Sequence, residues 1–347
     1  MSLSNYGKVF DMKKEKKISI LVTFYNQKNC ISQCLNSILM QKGDFNIEIL
    51  CGDDGSTDGS YETLKMWENR YNCIKVFRMS RDNNMNYEPI ERVSANRVNL
   101  LKNATGEFVA FLDGDDYFID EEKFSRQIKL LNKSKNIVCC GHPIKEVWDD
   151  GTKNDKVVSY ISDKTVVINK FIYWSYIWFH ADTMLFKNVF LNKPELIDDI
   201  DEKFFDDNLI TFYFIQFGSI VYTPECMVAY TQNINSSWNK RSSLQKALIN
   251  MRVYYSATKI NSKFKIPSFI KTYEDWVEIY HNRNKIINFE KGMGDIFSKR
   301  FINSSRLFKD MPLINKILYQ LKYGIIPLIK PIVYLLRKFK KFTYRKI

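Results

Sequence analysis

Asp113, Gly114, Asp115 and Asp116 put three carboxylates within four positions of the chain. The six residues before them, 107–112 (E-F-V-A-F-L), are mostly apolar and β-prone, which predicts a short buried strand. In an open α/β sheet, ligands sit beyond the carboxyl ends of the strands. Carboxylates crowded there repel one another unless a cation sits among them. A hard divalent ion suits oxygen ligands, and Mg²⁺ or Mn²⁺ would bridge such acids to the phosphates of a substrate. Read alone, the same stretch serves equally well as a solvated acidic turn.

Other acids stand in comparable places. Asp53 and Asp54 follow the apolar run 47–51 and open a turn-rich loop, D-D-G-S-T-D-G-S, in which Ser56 or Asp58 is expected to cap the next helix. Asp206 and Asp207 stand at the start of a helical pattern, where the helix dipole favours negative charge. Each pair also has a plain structural reading, an Asx turn for the first and a helix cap for the second.

The elements that must position these acids alternate. Strand-like runs at 18–23, 47–51, 74–79 and 107–112 are separated by helical patterns at 27–40, 60–70 and 88–103, and a fourth helix is read at 121–132. This predicts an α/β, Rossmann-like, doubly wound and mainly parallel sheet with right-handed crossovers. No G-x-G-x-x-G follows the first strand, so a dinucleotide fingerprint is absent. Beyond residue 136 the pattern weakens. Strands are expected at 137–140, 157–161, 180–186, 219–223 and 227–230, with a hairpin turn at 148–151. A helix runs from 204 to a C-cap at Gly218, and two more are expected at 242–260 and 268–287. The aromatic stretch 171–179, which contains Trp178, reads as core packing ahead of a sugar-stacking wall.

Composition sets further bounds. The 347 residues are 45% hydrophobic, ample for one large core plus an appendage. The net charge of +13 is uneven: from Lys299 onward there are 13 Lys/Arg and one acid, leaving 39 Lys/Arg and 38 Asp/Glu before it. A nearly neutral body argues against a nucleic-acid-binding face. The tail interleaves its basic residues with Leu, Ile, Phe and Tyr, which favours an anionic membrane surface over nucleic acid. Seven scattered cysteines and a polar, lysine-rich start that does not resemble a signal peptide point to reduced thiols in a cytosolic protein. Three histidines and no Cys/His cluster argue against zinc.

Taken together, these motifs resemble the family 2 glycosyltransferases, GT-A fold enzymes that use nucleotide-sugars, from residue 18 to about 238. The resemblance implies that Thr23, Phe24 and Tyr25 line the nucleotide pocket and that Asp54 accepts a hydrogen bond from the base, usually uracil. It places Arg97 near the nucleotide and Asp113 at the ribose. It makes Asp115 the ligand of Mn²⁺ or Mg²⁺, with Gly114, Asp116 and Asp206 beside the donor sugar or metal. Asp207 becomes the general base that deprotonates an acceptor hydroxyl as it attacks the anomeric carbon with inversion. Trp178, His180 and Trp238 fall near the acceptor. The chain departs from the pattern after Tyr230, where Thr231, Gln232 and Asn233 replace an Arg and then a His, and at Val98 and Leu100, where many members have Asn and Gly.

The expected organisation is a GT-A catalytic domain (1–238), a helical extension (239–298) and a basic amphipathic tail (299–347). The expected activity is transfer of a sugar from a nucleotide-sugar, UDP-linked, to a hydroxyl of a saccharide or lipid-linked acceptor in cell-surface glycan synthesis. The enzyme would sit in the cytoplasm, on the inner face of the membrane, with self-association left open and no nucleic-acid partner. The alternative is a sugar-nucleotide-binding or nucleotidyltransferase-type protein on the same sheet. A nucleotidyltransferase would want a Gly-rich, Arg/Lys-bearing loop after its first strand, and 23–27 (T-F-Y-N-Q) has neither.

Overall fold

A computed structural model describes residues 16–81, 88–148, 155–158, 163–169, 179–232, 236, 238–261, 275, 278 and 345–346. Four strands, β1 (Lys17–Phe24), β2 (Asn46–Asp53), β3 (Ile74–Arg78) and β4 (Phe108–Asp113), form the parallel half of a nine-stranded sheet in the order β3-β2-β1-β4. The crossovers between them are α1 (Ile31–Leu39), α2 (Ser60–Arg70) and α3 (Pro89–Lys102). The α/β sheet is thus the expected one.

Its other half is mixed. After β5 (Tyr117–Phe118) and α4 (Lys123–Leu131) come β6 (Ile137–Gly141), β7 (Ile144–Trp148), β8 (Lys156–Val158), β9 (Val166–Ile168) and β10 (Leu185–Lys187). Then follow α5 (Asp207–Ile215), β11 (Ser219–Tyr222), β12 (Val228–Gln232), α6 (Ser243–Ile260) and β13 (Arg345–Lys346). Strand β10 lies antiparallel between β4 and β6, β11 runs parallel to β6, and β9 and β13 close the edge. A second sheet, β5-β12-β7-β8, leans over the carboxyl end of β4.

Alternating side chains of β1 feed two cores. Ile18, Ile20 and Val22 pack with Ile31, Leu35 and Ile38 of α1 and Phe124 and Ile128 of α4. Leu21 packs on the opposite face with Val98 and Leu101 of α3 and Leu209 and Phe212 of α5. Both faces are covered, which is why the parallel strands read as continuous apolar runs. Helix α6 joins the second core through Val253 and Ala257.

Several local expectations change. Helix α1 starts at Ile31, not 27, because residues 26–28 are held by the neighbouring loop as described below. Helix α2 is entered through Gly59 at φ 90°, a left-handed conformation suited to glycine, while Asp58 accepts from the Ser60 N–H at 2.9 Å. The run 180–186 is not one strand: Ala181–Thr183 forms a 3-10 turn before β10, closed by Met184 N–H donating to the Ala181 carbonyl. Helix α5 ends at Ile215 with Gln216, not Gly218, at its C-cap. Nearly all of the hairpin turn at 148–151 (beyond Trp148), of the aromatic stretch 171–179 (all but the buried Phe179), of the helix at 268–287 (all but 275 and 278) and of the tail lies outside the described residues. Among the described residues, no helix is long and apolar enough to cross a membrane.

One core residue is unusual. Lys123 on α4 is fully buried, its Nζ donating to Gln127 Oε1 at 2.8 Å and standing 4.9 and 4.7 Å from the ring centroids of Phe118 and Phe124. Burial lowers its pKa to about 7. A lysine depressed in the folded state but ordinary when unfolded costs stability as pH falls from its unfolded pKa towards its folded one. Lys123→Met removes that cost. Its unfolding free energy relative to the wild type should therefore decline by about 2 kcal/mol between pH 7 and pH 9. Urea denaturation at both pH values checks this; a difference independent of pH would show the lysine charged in the core.

Candidate active site

The parallel register levels three strand ends. Thr23 is opposite Asp113, and Phe24 is opposite Asp53. The loops beyond them are interlocked. Asn26 N–H donates to Ser56 Oγ, Gln27 N–H to Ser60 Oγ and Lys28 N–H to Asp58 Oδ2, each at 3.0 Å; Thr57 N–H returns to Asn26 Oδ1 at 2.9 Å. Gly114 N–H donates to the Thr23 carbonyl at 2.9 Å. Phe24 is buried beneath Gly114, and a Cβ added to that glycine would clash with the Phe24 ring. Phe24 therefore supports the acidic turn from below. Asp115 opens onto a cleft that also meets Asn26, Lys28, Asp58 and Thr231.

Tyr25 and Asp54 lie on the β2 side. Tyr25 is 46% exposed, and the Arg92 guanidinium stands 4.1 Å from its ring centroid. Asp54 is 3% exposed and held by two arginines: Arg81 Nε donates to Oδ1 at 2.6 Å and Arg92 Nε to Oδ2 at 2.5 Å. Both oxygens of the acid expected at the base already have charged partners. Asp53 is buried and receives the Gly55 and Ser56 N–H groups.

Arg97 joins the two halves of the site. It is 4% exposed, its Nη2 donating to Asp113 Oδ1 at 2.8 Å and its Nη1 to Asp207 Oδ1 at 3.0 Å. Thr23 Oγ1 donates a second hydrogen bond to Asp113 Oδ1, at 3.1 Å. Despite burial, the two acids raise the arginine's pKa further. The pair at the start of α5 divides its work. Asp206 is the N-cap, accepting from Leu209 N–H at 2.9 Å, and Asp207, one residue on, faces Arg97. Burial, reinforced by Asp207, lifts Asp206 to about 7.

Direction of chain explains the next contact. Because β10 runs antiparallel to β4, the residues before it arrive at the edge where β4 ends. They deliver His180 and Asp182, both buried. His180 Nδ1 is 3.2 Å from Asp182 Oδ2, and its Nε2 is 3.6 Å from Asp207 Oδ2. Gln127 holds this turn from the core side, its Nε2 donating to the Thr183 carbonyl at 2.9 Å and the Cys140 carbonyl at 3.0 Å.

Thr231 occupies the region where a histidine was missed. Its N–H donates to Asp116 Oδ1 at 2.7 Å and its hydroxyl to the Asp115 carbonyl at 2.6 Å, so β12 clamps the acidic turn through Thr231. Burial, then Asp113, raises Asp115 to about 7. Asp116 is also raised, by burial and by Asp182.

Of the sequence-predicted residues, the structure gathers Thr23, Arg97, Asp113, Gly114, Asp115, Asp116, Asp206, Asp207 and His180 into one cluster beyond the end of β4, and among them Asp115 lines the cleft. Trp238 is 42% exposed, with Lys246 Nζ 5.5 Å from its ring, and has no described contact with that cluster. Trp178 lies outside the described residues. Sequence reasoning missed Asp182, Arg81, Arg92 and Thr231. The one signal for Asp182 was an acid inside an apolar run, where burial demands a partner.

Residues 19–190 match the model of glycosyl transferase family 2. That segment belongs to the family, and the fold is the GT-A type. Over 128 residues it is 35% identical to a poly(ribitol-phosphate) beta-glucosyltransferase of Bacillus spizizenii, covering 36% of this chain and 19% of that one. It spans 38% of the length of an uncharacterized Mycobacterium tuberculosis relative, 32% identical over 140 residues. Among solved structures, S. aureus TarS 1–349 in complex with UDP-GlcNAc superposes with a TM-score of 0.58 at 18% identity, over 94% of this chain and 88% of that one. The mannosyltransferase PcManGT of Pyrobaculum calidifontis, in complex with GDP-Man and Mn²⁺, gives 0.50 at 13% identity, over 94% and 87%.

Breaking one side of a buried ionic bridge leaves charges unpaired. Arg97→Met should lower stability by about 1–3 kcal/mol, discounted because Asp113 and Asp207 keep partial solvent contact. Adding Asp207→Asn should restore part of that loss. A double-mutant cycle by thermal denaturation measures the coupling; strictly additive effects would show that the bridge does not form in solution.

Proposed function

We propose that this chain is an inverting glycosyltransferase that moves a sugar from a nucleotide-sugar, UDP-linked, to a hydroxyl of a saccharide or lipid-linked acceptor in cell-surface glycan synthesis. The observation that carries the reading is the Arg97 bridge, which sets the strand-end acid Asp113 and the helix-start acid Asp207 on one guanidinium. A donor phosphate and an acceptor hydroxyl would meet between them. The UDP preference draws support from the UDP-GlcNAc complex of the S. aureus neighbour, and the polymer setting from the Bacillus relative's name.

In this reading Tyr25, Thr23 and Asp113 line the nucleoside. Asp54 acts there by orienting Arg81 and Arg92 as well as by any contact of its own. Asp115 would hold Mn²⁺ or Mg²⁺. The fit is chemical: it is a hard oxygen donor, open to the cleft, whose ionised form is disfavoured by burial and by Asp113 and would be favoured by a cation. The metal, when bound, offsets negative charge on the departing diphosphate. Asp207 Oδ takes the proton of the acceptor hydroxyl as its oxygen attacks the anomeric carbon from the face opposite the diphosphate. Asp206 keeps the helix start, and so Asp207, in register. Residues 1–238 would form the catalytic unit, with 239–298 a helical extension and 299–347 a basic tail for an anionic membrane surface.

Two variants separate the roles. Asp207→Asn should cut turnover about 100-fold or more with little change in nucleotide affinity. Asp115→Ala should weaken nucleotide binding in the presence of Mn²⁺, and EDTA should abolish transfer by the wild type. A screen of nucleotide-sugars for nucleotide release, followed by calorimetry with the free nucleotide, reads both. Full turnover in chelator would remove the metal from the mechanism.

A further inference from the structure

We propose that His180, held by Asp182, is a positioning residue for Asp207 and sets the acid limb of the pH dependence of transfer. The inference rests on Asp207 being the base. It stands on geometry: the two oxygens of Asp207 face two different buried side chains, a guanidinium and an imidazole. Arg97 Nη1 lies 3.0 Å from Oδ1, and His180 Nε2 lies 3.6 Å from Oδ2. A carboxylate gripped at one oxygen alone can still swing about its bond to Cβ. One flanked at both oxygens presents a fixed edge to the acceptor, as a positioned base requires.

Asp182 does for His180 what His180 does for Asp207. Fully buried, it lies 3.2 Å from Nδ1 and so directs Nε2 towards the base. The turn that carries both is braced by Thr183, whose hydroxyl donates to the His180 carbonyl at 2.7 Å, and by Gln127 on the Thr183 carbonyl.

The groups that face the imidazole come from four elements. Asp182 belongs to its own turn, Asp207 to α5 and Asp113 to the end of β4, and the Tyr230 ring of β12 lies 4.3 Å away, centroid to centroid. Behind them, Asp116 stands against Asp182, and Arg97 against Asp113 and Asp207. Asp115, next along the turn from β4, adds a fourth acid, and four acids against one more distant cation favour the imidazolium. Burial alone would depress it, but Asp182 and Asp207 outweigh burial and carry His180 up to about 9. Asp182 shows the reciprocal effect: burial would raise it, and His180 holds it at about 2. At neutral pH Asp207 therefore works beside a second positive charge.

Two readouts on the full chain test this. The first is side-chain NMR of the imidazole in ¹⁵N-labelled protein, tractable because the chain has three histidines. His180 should titrate well above an ordinary histidine, and Asp182→Asn and Asp207→Asn should each lower its midpoint by about one unit or more. The second is the pH profile of UDP release in Mn²⁺, from whichever of UDP-glucose and UDP-N-acetylglucosamine is turned over faster. In His180→Gln the acid limb should move to higher pH by about one unit and the plateau fall about tenfold. Asp182→Asn should shift the limb the same way by less, and it decides the matter if His180→Gln does not fold. Profiles that superimpose on the wild type in folded variants would overturn the inference. So would a His180 that titrates normally and ignores Asp207→Asn. Full turnover by Asp207→Asn would instead remove the base assignment itself, and the NMR coupling would then report a contact without that role.

Discussion

A guanidinium with almost no contact with solvent is tolerable only where carboxylates surround it, and Arg97 has two. They come from the end of β4 and the start of α5, 16 and 110 residues away in sequence. Helix α3 must therefore lie against both, and the sheet must bring the end of β4 level with the first turn of α5. The two cores meet this demand by covering both faces of β1 and β4. Stability and chemistry are coupled at this point, because the groups that offset the buried charge are the ones proposed to handle donor and acceptor.

Strand direction supplies the rest. The parallel strands bring loop after loop to one edge, and hydrogen bonds between the β1 and β2 loops turn that edge into a rigid rim. Inserting β10 in the opposite sense lets a later segment enter the same edge from the far side, carrying His180 and Asp182. The small second sheet completes the frame, since β12 fixes the acidic turn through the backbone and hydroxyl of Thr231. Backbone ties at the turn would let the carboxylate side chains bind and release a ligand without moving the main chain.

Much of this was legible in the residues alone. The strands at 18–23 and 107–112 are recovered within a residue or two, and helix 60–70 has its expected limits, because apolar period and length are local signals. The strand-end position of Asp113 followed from the same signals. What failed was tertiary. Residues 180–186 alternate as a strand does, but the Thr183 hydroxyl and the His180 carbonyl close a turn there. The sense of β10 cannot be read from its three residues. Arg97 reads equally as a surface or a site residue, since its partners are distant in sequence. Asp54 was legible as a binding acid, but not the two arginines that occupy it, one of them beyond the next strand and the other on the next helix.

If donor and acceptor chemistry share one centre, a divalent ion and a nucleotide must bind within reach of the Arg97 bridge. The direct measurement is a crystal structure of the chain with Mn²⁺ and UDP, read by anomalous scattering. The expected result is a manganese peak on Asp115 between protein and diphosphate, with Arg97 still joining Asp113 to Asp207. A nucleotide bound away from the acidic turn, or an ordered diphosphate there with no manganese on Asp115, would contradict it.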